Sequence, residues 1–479
     1  MIYVLIALGA LLFILLSVII IRTLAFVPKD TESMLISAEE VNIDKAISDL
    51  AEMIRCKTVS DVDRKNEDEN EFIKFKKLLR KLFPNIFAKC EYEEVTDRGL
   101  LFRYRGKSSD SPLVLMAHFD VVSVEEDQWE KPPFDAVYED EVLWGRGTLD
   151  TKGTLNGAMQ ALEQLILSGF TPENDIYLAF AGDEEVNGYG ASSIVDLFEK
   201  RNITPAAVID EGGAVVKKVF PGVSKPCAVI GIAEKGMLNA EFSFSGNGGH
   251  ASSPKPHTPV GKLSQACVNV ESKPFKYRVC EATALMLDTL ARHSSFVYRM
   301  IFSNLWLFGP VLNMIGKKNG GELNAIVRTT CAFTQMEGSK GMNVIPPHAR
   351  MVANLRILPG ETTESALEYL KKTVNNDEIA VKKISGMDPS RISTIKTAGW
   401  EKLVNAVRST WPEAIVSPYL MVACSDSRHW GRISDKVYRF SAMALSSEER
   451  ASIHGNNERI KKETVKKTVE FYLRLIKQF

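Results

Sequence analysis

Three acid-bearing segments each follow a short apolar run, and their residue types are those that hold divalent cations. Leu113–Ala117 leads into His118-Phe119-Asp120, Ile176–Ala181 into Gly182-Asp183-Glu184-Glu185, and Ala206–Ile209 into Asp210-Glu211-Gly212-Gly213. Between the first two lies Gly145-Arg146-Gly147-Thr148-Leu149-Asp150, a glycine-flexed loop. Taken singly, an acid after a strand reads as a helix N-cap or a solvated loop residue. The Glu184-Glu185 pair alone reads as surface charge, and His118 alone as a core histidine. The coincidence is what informs. If the runs are parallel strands, their carboxyl ends share one rim, and the crowded carboxylates would repel one another and resist desolvation. A divalent cation removes that conflict. Mixed imidazole and carboxylate donors suit zinc, with manganese or cobalt next.

The elements that must position these residues are legible from periodicity. Ile43, Ile47, Leu50 and Ile54 have helical spacing, as do Glu71–Leu82, Thr154–Leu167 and Ala191–Lys200. Strand-like runs alternate with them, which predicts an α/β fold with a doubly wound, mostly parallel sheet. The texture changes near Gly231. Met237–Ser245 alternates through Leu238, Ala240, Phe242 and Phe244, as a half-exposed antiparallel strand does, and Ala349–Leu358 repeats the pattern before an amphipathic Thr363–Val374. The expected organisation is an anchor or signal segment over 1–24, a catalytic domain over 45–231 and 388–479, and a smaller α+β domain inserted over 232–387. Within the insertion Phe296–Ile315 is very apolar, but Arg299, Asn304, Gly309-Pro310 and Asn313 argue against a membrane span. A buried helix pair, or an apolar surface for a lipid or partner, is expected there.

Composition closes off other classes. In 479 residues, 59 Lys and Arg nearly cancel 60 Asp and Glu, so no general attraction to phosphate backbones exists and no nucleic-acid partner is expected. The seven cysteines are scattered without a CxxC pair, which excludes a thiolate zinc finger and a dense disulfide framework. Ile2–Ile21 is an uncharged, apolar run of twenty residues, about 30 Å as a helix and long enough to cross bilayer hydrocarbon. It exceeds a signal-peptide core and no charged segment precedes it. The expectation is a membrane-anchored protein with a single N-terminal helix, or else a secreted one.

The ordered motifs LVLMAHFDVV, GRGTLDTKG, AGDEEVNGYGA, GHASSP, NVIPPHARMVANLRILPG and IHGNNERI resemble the di-zinc metallopeptidase family of carboxypeptidase S, aminoacylase, acetylornithine deacetylase and succinyl-diaminopimelate desuccinylase. CSDSRHW and the long insertion around 272–340 look most like the branch holding carboxypeptidase S and the N-fatty-acyl-amino-acid hydrolase/synthase. The resemblance spans nearly everything after about residue 45. It implies a ferredoxin-like lid that also serves dimerisation, and two zinc ions per chain bridged by Asp150. One zinc would take Glu185 and His454 and the other His118 and Asp210, with Glu211 the local rival to Asp210. Asp120 would orient the His118 ring and Glu184 would be the general base. His250 would help bind the developing oxyanion, in dimeric relatives across the subunit boundary. Arg428, with Arg356 and Asn343, would hold the substrate carboxylate. Many relatives carry an acid two residues before the Arg356 position, where this chain has Asn354.

These features imply a zinc-dependent hydrolase of the amide bond next to a C-terminal amino acid, in a small peptide or an N-acyl amino acid. An N-fatty-acyl-amino-acid hydrolase/synthase or an aminoacylase is the alternative. A non-catalytic membrane-tethered binding protein is the reading from another class.

Overall fold

A computed structural model describes residues 1–29 and 38–479. The large sheet has eight strands in the order Glu91–Thr96, Gly99–Tyr104, Asn174–Ala181, Ser108–His118, Ala207–Val216, Val437–Leu445, Cys227–Glu234, Ile415–Met421. Its centre is parallel: Ser108–His118 pairs in parallel with Asn174–Ala181 on one side and Ala207–Val216 on the other, and Val437–Leu445 joins the latter. The short hairpin Glu91–Tyr104 closes one edge antiparallel.

Alternation along the central strands sorts their side chains into two layers, as the pleat requires. Leu113, Leu115 and Ala117 pack with Leu155, Met159 and Leu162 of the Lys152–Leu167 helix, and with Val465 and Val469 of the Lys462–Ile476 helix. Val114 and Met116 point the other way, onto Ile194, Val195 and Phe198 of the Gly190–Lys200 helix. The sheet is thus covered on both faces, the arrangement anticipated from its near-continuous apolar strands. At the carboxyl rim of these buried strands, Asp150, Glu184, Glu185 and Glu211 are half-buried while His118, Asp120 and Asp210 are buried.

A second, four-stranded antiparallel sheet runs Thr330–Glu337, His348–Ile357, Gly236–Ser245, Ala380–Met387. Gly236–Ser245 alternates buried and half-buried along its length. Phe242 sits opposite Met351 and Leu238 opposite Leu355, and the Pro259–Ser272 and Thr363–Val374 helices cover that face. The segment between these helices returns to the large sheet. Ala282, Met286 and Leu290 of the Glu281–Arg292 helix share a core with Cys227, Ile230 and Ile232. Phe296–Ser303 and Leu305–Asn319 follow as two helices. Of the two expectations for this stretch, the buried pair gives way to the apolar surface: Phe296, Val297, Trp306, Val311, Met314 and Ile315 are all exposed. A neighbouring helix, Ile2–Ala25, is exposed along nearly all of its 24 residues.

A three-stranded ribbon does the remaining positioning. Arg459–Lys461 pairs with Val142–Trp144, Arg459 opposite Trp144. This ties a segment near the end of the sequence to the loop that carries Asp150.

Candidate metal centre

His118 ends its strand with Nδ1 turned to Asp120, 3.0 Å from the carbonyl oxygen and 3.3 Å from Oδ1. Its Nε2 therefore faces the rim, 2.9 Å from Asp150 Oδ1 and 3.5 Å from Glu211 Oε1. His454 approaches from the opposite side, its Nε2 3.0 Å from Asp150 Oδ2 and 3.1 Å from Glu185 Oε2. The Asp150 carboxylate stands between the two imidazoles, one oxygen to each. Donor atoms of His118, Glu184 and Glu211 lie within 4.8 Å of one another, as do those of His118, Asp150 and Glu185.

The electrostatics are those of a site with more negative charge than its surroundings can hold. Burial pushes Glu184 well above the ordinary carboxylate range, and Asp426, Glu211 and Glu185 add to it against the pull of His118. Burial likewise raises Glu211, reinforced by Asp150. Burial opposes ionisation of Asp150 too, but hydrogen bonds from His118 and His454 outweigh it and hold that carboxyl low. Hydrogen bonds to Asp150 and Glu185 push His454 up to about 10. In His118, desolvation works the other way but is overcome by Glu211, Asp120 and Asp150. Raised imidazoles and raised acids are holding protons where dications would serve. The donor set fits two of them: each oxygen of Asp150 faces one imidazole, and each imidazole has its own further carboxylate, Glu211 beside His118 and Glu185 beside His454.

Asp210 is buried next to this cluster, with His118 among the charges that act on it, and its Oδ2 accepts from Ser427 N at 2.9 Å. The ladder explains how its neighbour reaches the His118 ring. Asp210 pairs with Arg439 and Gly213 with Phe440, so Glu211 and Gly212 bulge out of the strand between them, and a bulge redirects side chains. Glu211 is thereby turned onto His118.

Several supporting residues went unnoticed in the sequence reading. Fully buried Glu458 accepts N–H bonds from Gly147, Leu149 and Asp150 and pairs with Arg146 Nη1 at 2.7 Å. It locks the Asp150 loop to the His454 segment, and its place within IHGNNERI was the available signal. Thr151 Oγ1 accepts from His118 N and donates to His118 O, both at 3.0 Å. Asp120, fully buried, accepts from Ser60 Oγ and from the backbone N–H groups of Glu184 and Glu185. It thus positions the acidic loop as well as the His118 ring. Gly147 has φ of 88° and its missing Cβ would lie 2.9 Å from Val121 Cγ1, so only glycine suits the turn.

The expected substrate residues divide. Arg428 Nη2 donates to Asn187 Oδ1 of the acidic loop at 2.9 Å. Arg356, from the small sheet, points Nη1 at Cys424 Sγ, 3.7 Å away. Cys424 lines a cavity of about 560 Å³ together with Asp150, Glu184, Glu185, Glu211 and His454. His250 and Asn343 are brought to each other rather than to the acids. Gly249–His250 pairs with Val344–Ile345, Ala251 N donates to Asn343 O, and the exposed His250 ring bonds Ser252. The far wall of the cavity is apolar, built by Ala214, Met421, Met443 and Leu445. A smaller cavity of about 120 Å³ adjoins it through Gly212, Ala214 and Arg450 and reaches Met286, Leu323 and Tyr419.

The model of Peptidase family M20/M25/M40 matches residues 114–478, so the chain belongs to that family of peptidases. A probable carboxypeptidase S-like protein 2 of Dictyostelium discoideum is 33% identical over 473 residues, 96% of this chain and 91% of its own length. The human N-fatty-acyl-amino acid synthase/hydrolase is 34% identical over 409 residues, covering 84% of this chain and 81% of the relative. Among solved structures, an M20 family metallo-carboxypeptidase of Sulfolobus solfataricus superposes with a TM-score of 0.67 at 19% identity, over 90% of this chain and 98% of that one.

Proposed function

We propose that this protein is a di-zinc hydrolase of the amide bond beside a C-terminal amino acid, acting on small peptides or N-acyl amino acids. The observation that supports it best is the Asp150 carboxylate shared between His118 and His454, with Glu184 at the same rim. Asp150, Glu185 and His454 would hold one zinc ion, and Asp150 and His118, with Glu211 in place of the expected Asp210, would hold the other; manganese or cobalt could substitute. When bound, the ions polarise the scissile carbonyl and bring the pKa of water in the site towards ~7.

The residues do the rest. Glu184, which we assign to neither ion although its donor atoms lie within 4.8 Å of those of His118 and Glu211, takes a proton from the attacking water and returns it to the leaving nitrogen. Its burial favours the protonated form that must make the second transfer. Asp120 fixes the His118 ring and thereby the direction of Nε2. Arg428, with Arg356 from the small sheet, grips the substrate carboxylate. The small sheet then acts as lid, with Asn343 assisting the two arginines at the carboxylate and His250, on the Gly249–His250 strand, offered as an oxyanion contact to a second subunit in a homodimer. The Ile2–Ala25 helix anchors the enzyme to a membrane.

A second reading, N-fatty-acyl-amino-acid hydrolysis or synthesis, draws support from the apolar wall and the adjoining small cavity, which suit an acyl chain. Assay of the purified full chain with zinc, manganese or cobalt, on a dipeptide and on a long-chain N-acyl amino acid, separates the two by kcat/KM. Chelator-sensitive amide hydrolysis is expected. Its absence on every amide tried would leave the binding-protein reading.

A further inference from the structure

We propose that the outer face of the Phe296–Ser303 and Leu305–Asn319 helices is seated in the bilayer beside the N-terminal helix, so that the hydrolase body lies on the membrane instead of hanging from a tether. This rests on the reading of Ile2–Ala25 as an anchor.

The two elements are physically joined. Arg22 donates Nε and Nη2 to Ser303 O at 3.1 and 2.8 Å. Thr23 Oγ1 lies 3.3 Å from Ser303 Oγ, and Asn304 Nδ2 reaches Ile19 O at 3.4 Å. Just past the helix, Arg292 stacks over the Phe26 ring and donates to Val27 O. These contacts fall on the last two turns of the N-terminal helix, where a spanning segment leaves the hydrocarbon. The junction of the two following helices is therefore held at the bilayer boundary.

What these helices present there is apolar on the outside. Trp306, Pro310 and Met314 recur at i, i+4 and i+8, with Val311 and Ile315 beside them, and all five are exposed. Leu305 and Leu312 on the other side pack on the core. A surface helix in water carries its polar residues outward, whereas this one turns apolar ones out as far as Ile315 and only then its exposed lysines. The charge pattern selects the occupant. Between Asp288, which pairs with Arg292 at 2.7 Å, and Glu322 there is no other acidic residue, and the remaining charged ones are Arg299, Lys317 and Lys318. Apolar side chains flanked by basic ones, with Trp306 and Tyr298 at the boundary, match hydrocarbon capped by anionic headgroups. A cavity of about 480 Å³ between Phe26, Leu287, Phe302 and Trp306 gives room for an acyl chain at the seam.

Trp306 supplies the test. The chain has six tryptophans. Trp129, Trp400, Trp411 and Trp430 are buried, Trp144 is half-buried in the catalytic body, and Trp306 is 56% exposed. The full chain is reconstituted into phosphatidylcholine–phosphatidylglycerol bilayers with and without brominated acyl chains, and retention against alkaline carbonate is scored in parallel. Brominated lipid should quench wild-type emission, iodide in the aqueous phase should not reach the same fraction, and Trp306→Phe should abolish the lipid-quenched component. Met314→Trp in the Trp306→Phe background should restore it. Equal lipid quenching of wild type and Trp306→Phe overturns the proposal, as does quenching of Trp306 by iodide alone. Protection from both quenchers also overturns it and points to a second copy of the chain as the cover. A chain washed off by carbonate refutes the anchor and this proposal together, whereas a retained chain with unquenched Trp306 refutes this proposal alone.

Discussion

Glu184 and Glu185 are neighbours in sequence, yet the fold gives them different surroundings. Glu185 Oε2 lies 3.1 Å from His454, while Glu184 clusters with His118 and Glu211 in the cavity wall. Glu184→Ala should therefore lower kcat by ~10²–10⁴-fold, the range for a lost general base. Metal content measured by mass spectrometry should stay near the wild-type value; retention of substantial turnover would refute the role. The same measurement separates Glu211 from Asp210. Glu211→Ala should lose about half the bound metal, and Asp210→Asn, whose partner is a backbone N–H of Ser427, should keep it. The sequence could narrow the choice to these two but not decide it. Successive residues of a strand face opposite ways, and the answer depends on a two-residue bulge fixed by pairing with Val437–Leu445, far away in the chain. The acids that end the other strands needed no such knowledge, because parallel strands deliver their carboxyl ends to one rim.

At the scale of elements, the junction of the two sheets holds a buried cation. Lys235 follows the Cys227–Glu234 strand and precedes Gly236–Ser245, with Nζ donating to Ala325 O and Arg328 O. Desolvation, aided by Arg356, lowers its pKa from 10.5 to about 7. Between those values the unfolded chain binds more protons than the folded one, so stability gained from this group rises with pH across that window and is lost as pH falls towards 7. Lys235→Met removes the penalty. Its melting temperature relative to wild type should be most favourable near pH 7 and converge or fall behind towards pH 10, read by scanning calorimetry. A constant difference across the range would exclude the linkage. Elements were read well where one face is wet: the alternation of Gly236–Ser245 and the 3.6-residue period of Thr363–Val374 announce themselves. The return of Glu281–Arg292 to the large sheet was not legible, since an amphipathic helix declares that it has an apolar side and not which apolar surface will meet it.

Across the whole molecule, the centre gathers residues from five separated stretches: His118, Asp150, Glu185, Glu211 and His454. Ions bound there stabilise only the folded chain, by about 4 kcal/mol when free metal is ~1,000-fold above its Kd. Chelation should lower the melting temperature by several degrees and abolish amide hydrolysis, and added zinc should restore both. Restoration of one without the other would mean that the stabilising metal is not the catalytic one. The ribbon that sets Arg459 against Trp144 carries a consequence in time. His454 is made long after the rest of the centre, so a chain ending short of it should be inert, however well its earlier strands have paired.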